Sequence, residues 1–360
     1  MSKSKREKRK LKFKTKIIMI ITLLLIAGVV VFAGYKLNWF SDKVNKKIDK
    51  IVDKVVEPEK KITIVNPDSK SRPYAVMINN AGVARKYQSG LDKAYIIYEM
   101  IVEGGLTRMM ALYKDVDVER IGTVRSSRHY YLDYAMENDA IYVHWGWSPQ
   151  AQSDISSYKI QNINGLTYGT KYFWKDKSLK VSTEHTAYTS TALIKEAVSK
   201  LKYRNETTQD LLLNYNVDPI DLSADATLID ANNISIKYSS SVTDTYEYDT
   251  EKQVYKRSVN GTPHTDYLTN EQYTFKNIIT YQVSNSTISG DQKGRQTFDN
   301  VGSGEGYYIT NGKAVTITWS KSSRNSQTVY KLKSTGEELK VNDGNTFIQI
   351  QPTGQSITIS

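Results

Sequence analysis

Four short segments concentrate the side chains of this 360-residue chain that could do chemistry. They are residues 103–108, 122–129, 144–149 and 184–190, and they combine Arg, His, Glu and Trp with Gly, Ser and Thr. Three of the four histidines fall in these segments, and His264 is the exception. Because functional side chains tend to lie on loops that a rigid scaffold holds, the four segments are predicted to form one polar cleft.

The arginines of these segments favour an anionic ligand. Arg125 and Arg128 carry guanidinium groups, whose planar fork matches carboxylate and phosphate. They could equally pair with Glu99 or Glu103 in a structural network, and the sequence leaves both interpretations open. The predicted binding residues of the cleft are Arg108, Arg125, Ser126, Arg128, His144, Trp145 and His185.

Glu103 and His144 are the candidates for catalysis. His144 follows a predicted strand and could act as a general base, with Glu103 as its acid partner. A buried, hydrogen-bonded histidine is the structural alternative. The nucleophile elbow G-x-S-x-G is absent from the sequence. The residues therefore favour a binding protein over an enzyme without deciding between them.

Metal binding has little support in the spacing of the ligand residues. His144, His185 and Glu103 could form a zinc site with two histidines and one carboxylate, but no H-E-x-x-H spacing accompanies them. The sequence therefore predicts neither a metal nor a cofactor. Trp145 and Trp147 could stack on sugars, although aromatic residues are also ordinary core material.

The elements that must position these residues follow from hydrophobic periodicity. Residues 68–205 alternate short apolar runs with helical patterns, which predicts an α/β-like domain. The predicted strands cover 74–78, 94–100, 109–113 and 140–143, and the predicted helices cover 130–140, 149–158 and 191–203. Ser190 or Thr191 is expected to cap the last helix, whose buried face should contain Leu193, Ala197 and Leu201.

The composition changes after about residue 205. Residues 227–352 are rich in Thr, Ser, Val, Ile and Tyr, which favours strands. Hairpin signals occur at Asn260-Gly261, Ser289-Gly290, Asn311-Gly312 and Asp343-Gly344. The sequence thus predicts an α+β protein in which a mainly antiparallel β-rich domain follows the first one. The two are expected to be separable units that meet within 205–230.

The first 61 residues predict a membrane anchor. Residues 1–16 contain nine Lys and Arg against Glu7, and residues 17–35 are uncharged and mostly apolar, long enough for one transmembrane helix. A cleaved signal peptide would have a shorter apolar region and a small-x-small cleavage site. The positive tail should stay cytoplasmic, so that the bulk of the chain is extracellular. Residues 36–61 are predicted to form a charged helical stalk.

The net charge of +11 belongs to this N-terminal part. The basic tail contributes +8 and the stalk +3, whereas residues 62–360 contain 32 basic and 32 acidic residues. A neutral globular part lacks the basic face that nucleic acid binding requires, so this class of partner is excluded.

Several motifs resemble those of the YerB-like family of Gram-positive envelope proteins. They are residues 72–80, 88–91, 103–108, 121–128, 172–176, 301–306 and 311–314 with Trp319, so that the resemblance covers 72 to about 352. It implies two domains of unknown function, usually on lipoproteins, and no particular activity. Two departures are the absence of any cysteine for lipid attachment and Trp147 where the family pattern His-x-Gly-Gly-Ser has glycine.

These observations predict a membrane-anchored extracytoplasmic protein of the cell envelope. Its partners would be the lipid bilayer and either a cell-wall polymer or an envelope protein, which it binds through the polar cleft. The alternative is a hydrolase or transferase that acts on an envelope polymer, with Glu103 and His144 as acid and base and the arginines neutralising developing charge.

Overall fold

The computed structural model of the protein describes residues 61–360, together with Asp42 and Lys46 before them. The predicted basic tail, the transmembrane helix over 17–35 and nearly all of the stalk lie outside the described residues. Asp42 and Lys46 are helical and exposed. Within the described part of the chain, no helix has the length and apolar character needed to cross a membrane.

Strands dominate residues 61–360. In chain order they are β1 Tyr74–Asn79, β2 Ile96–Ile101, β3 Thr107–Tyr113, β4 Ile121–Gly122, β5 Ile141–His144, β6 Asn162–Asn164, β7 Trp174–Lys175, β8 Ala187–Thr189, β9 Asn214–Asn216, β10 Ile229–Asp230, β11 Asn233–Lys237, β12 Thr243–Asp249, β13 Val254–Val259, β14 Thr262–Pro263, β15 Thr274–Phe275, β16 Asn277–Val283, β17 Asn285–Thr287, β18 Gln296–Phe298, β19 Gly302–Thr310, β20 Lys313–Lys321, β21 Val329–Leu332, β22 Lys340–Asn342, β23 Thr346–Pro352 and β24 Ile357–Ile359.

The helices are few and short. They are α1 Gly82–Arg85, α2 His129–Glu137, α3 Pro149–Ser157, α4 Gly165–Tyr168 and α5 Thr191–Lys200, with single 3-10 turns at Leu91–Lys93, Glu103–Gly105, Gly169–Lys171 and Thr183–His185. Ser190 caps α5, since its side chain accepts a hydrogen bond from the backbone of Leu193 at 3.2 Å. The buried face of α5 differs from the predicted one. It contains Ile194, Ala197 and Val198, which share one side of the helix at positions i, i+3 and i+4, whereas Leu193 and Leu201 are only half-buried.

One sheet of eleven strands runs through both halves of the sequence. Its strand order is β10-β20-β19-β16-β23-β2-β3-β1-β5-β6, with β21 beside β20. The halves meet where β2 pairs in parallel with β23, from Ile96 opposite Thr346 to Met100 opposite Ile350. Residues 61–360 accordingly form a single compact unit. Strands from both sides of 205–230, where the two units are expected to meet, thus share hydrogen bonds in this sheet.

The central strand β2 is buried on both faces, which explains its nearly continuous apolar sequence. Successive side chains of a strand point to opposite faces. Tyr98 therefore meets α2, with its ring centroid 5.0 Å from that of Tyr134. Glu99 faces the opposite way, toward a second sheet of six strands, in which β15 pairs with β13 and the others follow the order β14-β13-β12-β11-β24. The protein thus has three layers at this point.

The predicted hairpin signals are correct in part. Asn260-Gly261 joins β13 to β14 and Asn311-Gly312 joins β19 to β20, with positive φ at all four residues. Ser289-Gly290 lies in the longer connection between β17 and β18. The expectation for Asp343-Gly344 is wrong: β22 pairs in parallel with β9 and β23 joins the large sheet, so this turn carries the chain between two sheets.

Candidate functional site

The predicted site residues gather at one edge of the large sheet. Strands β1, β2 and β5 run parallel to one another and end at this edge, while β3 runs antiparallel and begins there. The segment 121–128 follows the same edge, since the backbone of Arg125 bonds to Met77 of β1 and that of Val124 to Ala187 of β8. The carboxyl ends of parallel strands are a common place for ligands.

Three of the predicted residues form an ion cluster, named here the arginine cluster: Glu103, Arg108 and Arg128. Arg128 holds Glu103 in a two-pronged pair, with Nη2 to Oε2 at 2.7 Å and Nε bonded to Oε1. Arg108 lies 3.7 Å from the same carboxylate and donates to the backbone oxygen of Ser126 at 2.5 Å. The side chains of this cluster are only 10–19% exposed. The arginine cluster is therefore largely satisfied by its own members.

The electrostatics of the arginine cluster oppose an acid role for Glu103. Burial alone would raise the pKa of the Glu103 carboxyl, but the hydrogen bonds and positive charges of Arg128 and Arg108 outweigh it and lower that pKa. Burial and the neighbouring Arg128 lower the pKa of Arg108 to about 10. Glu103 is thus an ionised partner of two cations, and a proton donor would need the opposite environment.

Arg125 enters a different cluster. Its Nη2 donates to Oε2 of Glu184 at 2.6 Å, and its Nη1 lies 3.3 Å from the backbone oxygen of the same residue. Here the side chains are more open, 24% exposed for Arg125 and 52% for Glu184. The ring of His185 follows, with Nε2 at 3.5 Å from the other oxygen of Glu184. We name Arg125, Glu184, His185 and Asn79 the Arg125 cluster.

The end of β1 orients the histidine of the Arg125 cluster. Oδ1 of Asn79 accepts the backbone N–H of Ala81 at 3.2 Å, so its Nδ2 is the donor to Nδ1 of His185 at 2.7 Å. The proton of the neutral ring therefore lies on Nε2, toward Glu184. Burial lowers the pKa of His185, while the charge of Glu184 opposes that effect and Arg125 adds to it. At neutral pH the imidazole of His185 is therefore uncharged and packs beside the Arg125–Glu184 ion pair.

Trp145 and Ser126 connect the two clusters. The backbone N–H of Trp145 donates to the oxygen of Arg125, and the hydroxyl of Ser126 donates to the oxygen of Trp145, both at 3.0 Å. The indole packs over Gly165, where a Cβ atom would lie only 2.3 Å from the ring. Nζ of Lys175 lies 4.6 Å from the centroid of the ring system. Trp145 is therefore a fixed, half-buried platform that supports a cation.

His144 is a buried structural residue. Its Nδ1 lies 2.7 Å from the oxygen of Gly146 and its Nε2 lies 3.1 Å from the side chain of Asn162. Burial lowers the pKa of the ring to about 4, against the weaker effect of these two bonds. Trp147, the residue that departs from the family pattern, has its ring 5.5 Å from that of His144. A fully buried imidazole with this pKa is poorly suited to general base catalysis near neutral pH.

A third group of charges was not predicted. Arg257 of β13 donates through Nη2 to Glu99 at 2.8 Å and to Asp244 at 2.7 Å, and all three side chains are fully buried. Nη1 of Arg257 bonds to Nδ1 of His264 at 2.6 Å. We name these four residues the core network. Arg125 and Arg128 therefore do not use Glu99, which was one of the partners considered for them.

The sequence carries a signal for the core network. Glu99 interrupts an apolar strand, and Arg257 stands at a buried position of an alternating strand. A charged residue in such a place requires an opposite charge. The pairing itself joins positions 158 residues apart, which periodicity cannot reveal. Burial, and next the charge of Asp244, raise the pKa of Glu99 to about 8, against the effect of Arg257.

Both halves of the chain are similar to known proteins. Its residues 62–204 match the family model "Protein of unknown function (DUF3048) N-terminal domain", and residues 234–348 match the C-terminal domain of the same family. The curated protein "Putative lipoprotein YerB" of Bacillus subtilis (strain 168) is 31% identical over 310 residues, which are 85% of this chain and 87% of the relative.

A solved structure agrees with this relationship. The crystal structure of YerB protein from Bacillus subtilis superposes with a TM-score of 0.68 at 30% identity, covering 80% of this chain and 94% of YerB. The resemblance drawn from the motifs is thereby confirmed, and this chain belongs to the DUF3048 family, with both of its domains.

Proposed function

We propose that this chain is an envelope protein that binds a wall component through the Arg125 cluster and catalyses no reaction. The name of the YerB relative supports a place in the envelope, since a lipoprotein is anchored to a membrane. For this chain, which has no cysteine, the anchor would be the predicted transmembrane helix over 17–35, with the N-terminus cytoplasmic. External protease added to protoplasts should then release a fragment close to residues 61–360.

The exposure of Arg125 carries the proposal for binding. Among the predicted site residues, the arginine cluster is closed by its own pairs, whereas the pair of Arg125 with Glu184 opens to solvent. A solvent-exposed ion pair contributes little to folding, so its guanidinium can exchange one carboxylate for another at small cost. Lys175, which lies over the ring of Trp145, adds a second cation beside it.

The same geometry gives little support to the enzyme alternative. Glu103 is held ionised between two arginines, and His144 is enclosed with both ring nitrogens bonded. Neither residue is placed to exchange a proton with a substrate near neutral pH. Recognition requires only that groups of the Arg125 cluster be accessible, which they are.

Binding to purified sacculi of Bacillus subtilis tests the proposal. The wild-type full chain should sediment with sacculi, and Arg125→Lys should weaken this binding at least fivefold, because an ammonium group keeps the charge but loses the fork. Arg204→Lys is the matched control: this arginine donates through both Nη atoms to the carboxylate of Asp139 and is 53% exposed. It should bind as the wild type does.

Two outcomes would overturn the proposal. One is equal binding by the wild type and Arg125→Lys, or no binding by either. The other is the release of soluble fragments from sacculi by the wild type and its loss in Glu103→Gln, which would establish the enzyme alternative.

A further inference from the structure

A group of four lysines without ion-pair partners in residues 61–360 adjoins the Arg125 cluster, on a stretch we name the lysine loop, residues 171–180. Its four lysines are Lys171, Lys175, Lys177 and Lys180. Three of them are exposed and Lys175 is half-buried. The part of the chain that the structure describes provides no ion-pair partner for any of the four. This concentration stands out because residues 62–360 as a whole have no net charge.

The two carboxylates of this region are already neutralised. Asp176 pairs with Arg120 at 2.7 Å and Glu184 pairs with Arg125 at 2.6 Å. The lysine loop therefore presents three exposed ammonium groups to solvent, with Lys175 half-buried between them and the guanidinium of Arg125. Such a surface is complementary to a ligand with several negative charges.

The lysine loop is also held in place. Oδ1 of Asp176 accepts the backbone N–H of Ser178 at 3.0 Å, and Leu179 is buried with Tyr87 and Tyr188. Strand β7 within the loop pairs with β8, which pairs in turn with β4. Lysines on an ordered loop lose less conformational freedom when a ligand binds than lysines on a mobile one.

Lys175 links the lysine loop to the Arg125 cluster. Its Nζ donates to the backbone oxygen of Thr183 at 2.7 Å and stands over Trp145. Burial and then the positive charge of Arg125 lower the pKa of Lys175, which is consistent with two cations placed side by side. An extended ligand could thus run from the lysine loop to Arg125 without crossing a carboxylate that lacks a partner.

We propose that the wall component bound at the Arg125 cluster is an anionic polymer, with repeating phosphate or carboxylate groups, that also lies along the lysine loop. This inference rests on the proposed function and adds the class of ligand. Anionic lipid headgroups share the same charge chemistry, and the experiment separates the two sources. Binding through several lysines releases counterions, so raising NaCl from about 50 to about 200 mM should weaken it roughly tenfold or more.

The test uses sacculi before and after removal of their phosphodiester-linked polymers with hydrofluoric acid, and vesicles of phosphatidylglycerol. A full-chain variant with Lys171→Gln, Lys177→Gln and Lys180→Gln should lose at least tenfold in affinity for untreated sacculi. Adding Lys175→Gln should weaken binding further. The matched control changes four exposed lysines elsewhere, which are Lys237→Gln, Lys252→Gln, Lys331→Gln and Lys340→Gln. It should bind as the wild type does.

The inference and the function on which it rests fail in different ways. One result is sacculus binding that depends on Arg125 while neither salt nor the lysine variants change it. This result would overturn the inference that the ligand is an anionic polymer, and the proposed function would stand. If wild-type binding depends on salt but is equal before and after hydrofluoric acid, phosphate is excluded as the recognised group, and the ligand is a polymer that bears carboxylates. Binding to vesicles that the lysine variants weaken, with no binding to sacculi, would overturn both.

Discussion

The Arg125 cluster and the core network are reached from two neighbouring residues, Asn79 and Asn80, but one is open to solvent and the other is buried. Asn79 is the last residue of β1 and Asn80 follows it, and their side chains point to opposite sides. Asn79 donates to His185 of the Arg125 cluster, whereas Asn80 donates to Glu99 of the core network at 2.8 Å. Both groups pair arginine with glutamate. Only the Arg125 pair faces solvent, while the side chains of Glu99 and Arg257 are 0% exposed.

This difference decides what each pair can do. A buried ion pair joined by further hydrogen bonds specifies one arrangement of the surrounding strands, and breaking it leaves an uncompensated charge. An exposed pair contributes little to folding and can be exchanged for a ligand. The core network joins the two sequence domains through Glu99 and Arg257, so we assign it to folding and the Arg125 cluster to recognition.

The largest expected effect is on folding. Arg257→Met should lower the free energy of unfolding by about 3–5 kcal/mol, because Glu99 and Asp244 lose their buried partner. Arg125→Met, at the exposed pair, should change it by no more than about 0.5 kcal/mol. Urea unfolding followed by tryptophan fluorescence measures both. Equal losses in the two variants would remove the distinction between the clusters.

The second prediction concerns pH. The pKa of Glu99 is near 4.5 in an unfolded chain and about 8 in the folded protein, so between these values the folded state holds one more proton. The contribution of Glu99 to the free energy of unfolding should therefore fall as pH rises toward 8, by at most about 1.4 kcal/mol per pH unit. The interval from pH 7 to 8 is the most informative one, because the pKa values of all four histidines are lowered from 6.5 in the folded protein.

Two variants check this assignment. Glu99→Gln cannot ionise, and it should flatten the dependence of the unfolding free energy on pH between 7 and 8. Glu103→Gln should retain the slope, since the pKa of Glu103 is lowered and this residue is already ionised in both states. A slope that survives Glu99→Gln would place the titrating group elsewhere.

The third prediction distinguishes Arg128 from Arg125, for which the sequence predicts the same role. Arg128→Lys loses a two-pronged pair with Glu103 at a side chain only 10% exposed, so stability should fall by about 1–3 kcal/mol. Sacculus binding should be unchanged at a temperature where the variant is folded. Loss of binding by folded Arg128→Lys would extend the recognition surface to the arginine cluster.

The smallest effect on stability is expected at Glu184. Glu184→Gln removes the carboxylate that competes for Arg125, so binding to sacculi should strengthen by about twofold to fivefold. The unfolding free energy should change by less than about 0.5 kcal/mol, since this side chain is 52% exposed. Weaker binding in this variant would instead make Glu184 a group that contacts the ligand itself.

The sequence predicts the local elements well because their signals are local. The apolar runs around Val76, Tyr98 and Ala111 are strands, and the helix after Ser190 begins where its cap indicates. Clustering of the site residues at one sheet edge also follows, since most of them stand next to strand ends. The sequence does not show that the Arg128–Glu103 pair is largely buried and the Arg125–Glu184 pair exposed, because burial depends on how distant strands pack.

Two long-range features could not be predicted from the sequence, because they depend on how distant strands pack. The pairing of β2 with β23 joins residues about 250 positions apart, and it places strands of both expected domains in one sheet. The pairing of Arg257 with Glu99 depends on that arrangement. Chemical type alone suggested that Arg125 and Arg128 act together, whereas their places in the fold give them different partners.

The most direct test of the division between folding and recognition measures two properties of one variant, Arg125→Lys. Urea unfolding and sacculus binding are determined on the same preparation, beside wild type and Arg204→Lys. The account predicts an unfolding free energy within about 0.5 kcal/mol of wild type and binding weakened at least fivefold. A large loss of stability with binding intact would contradict it.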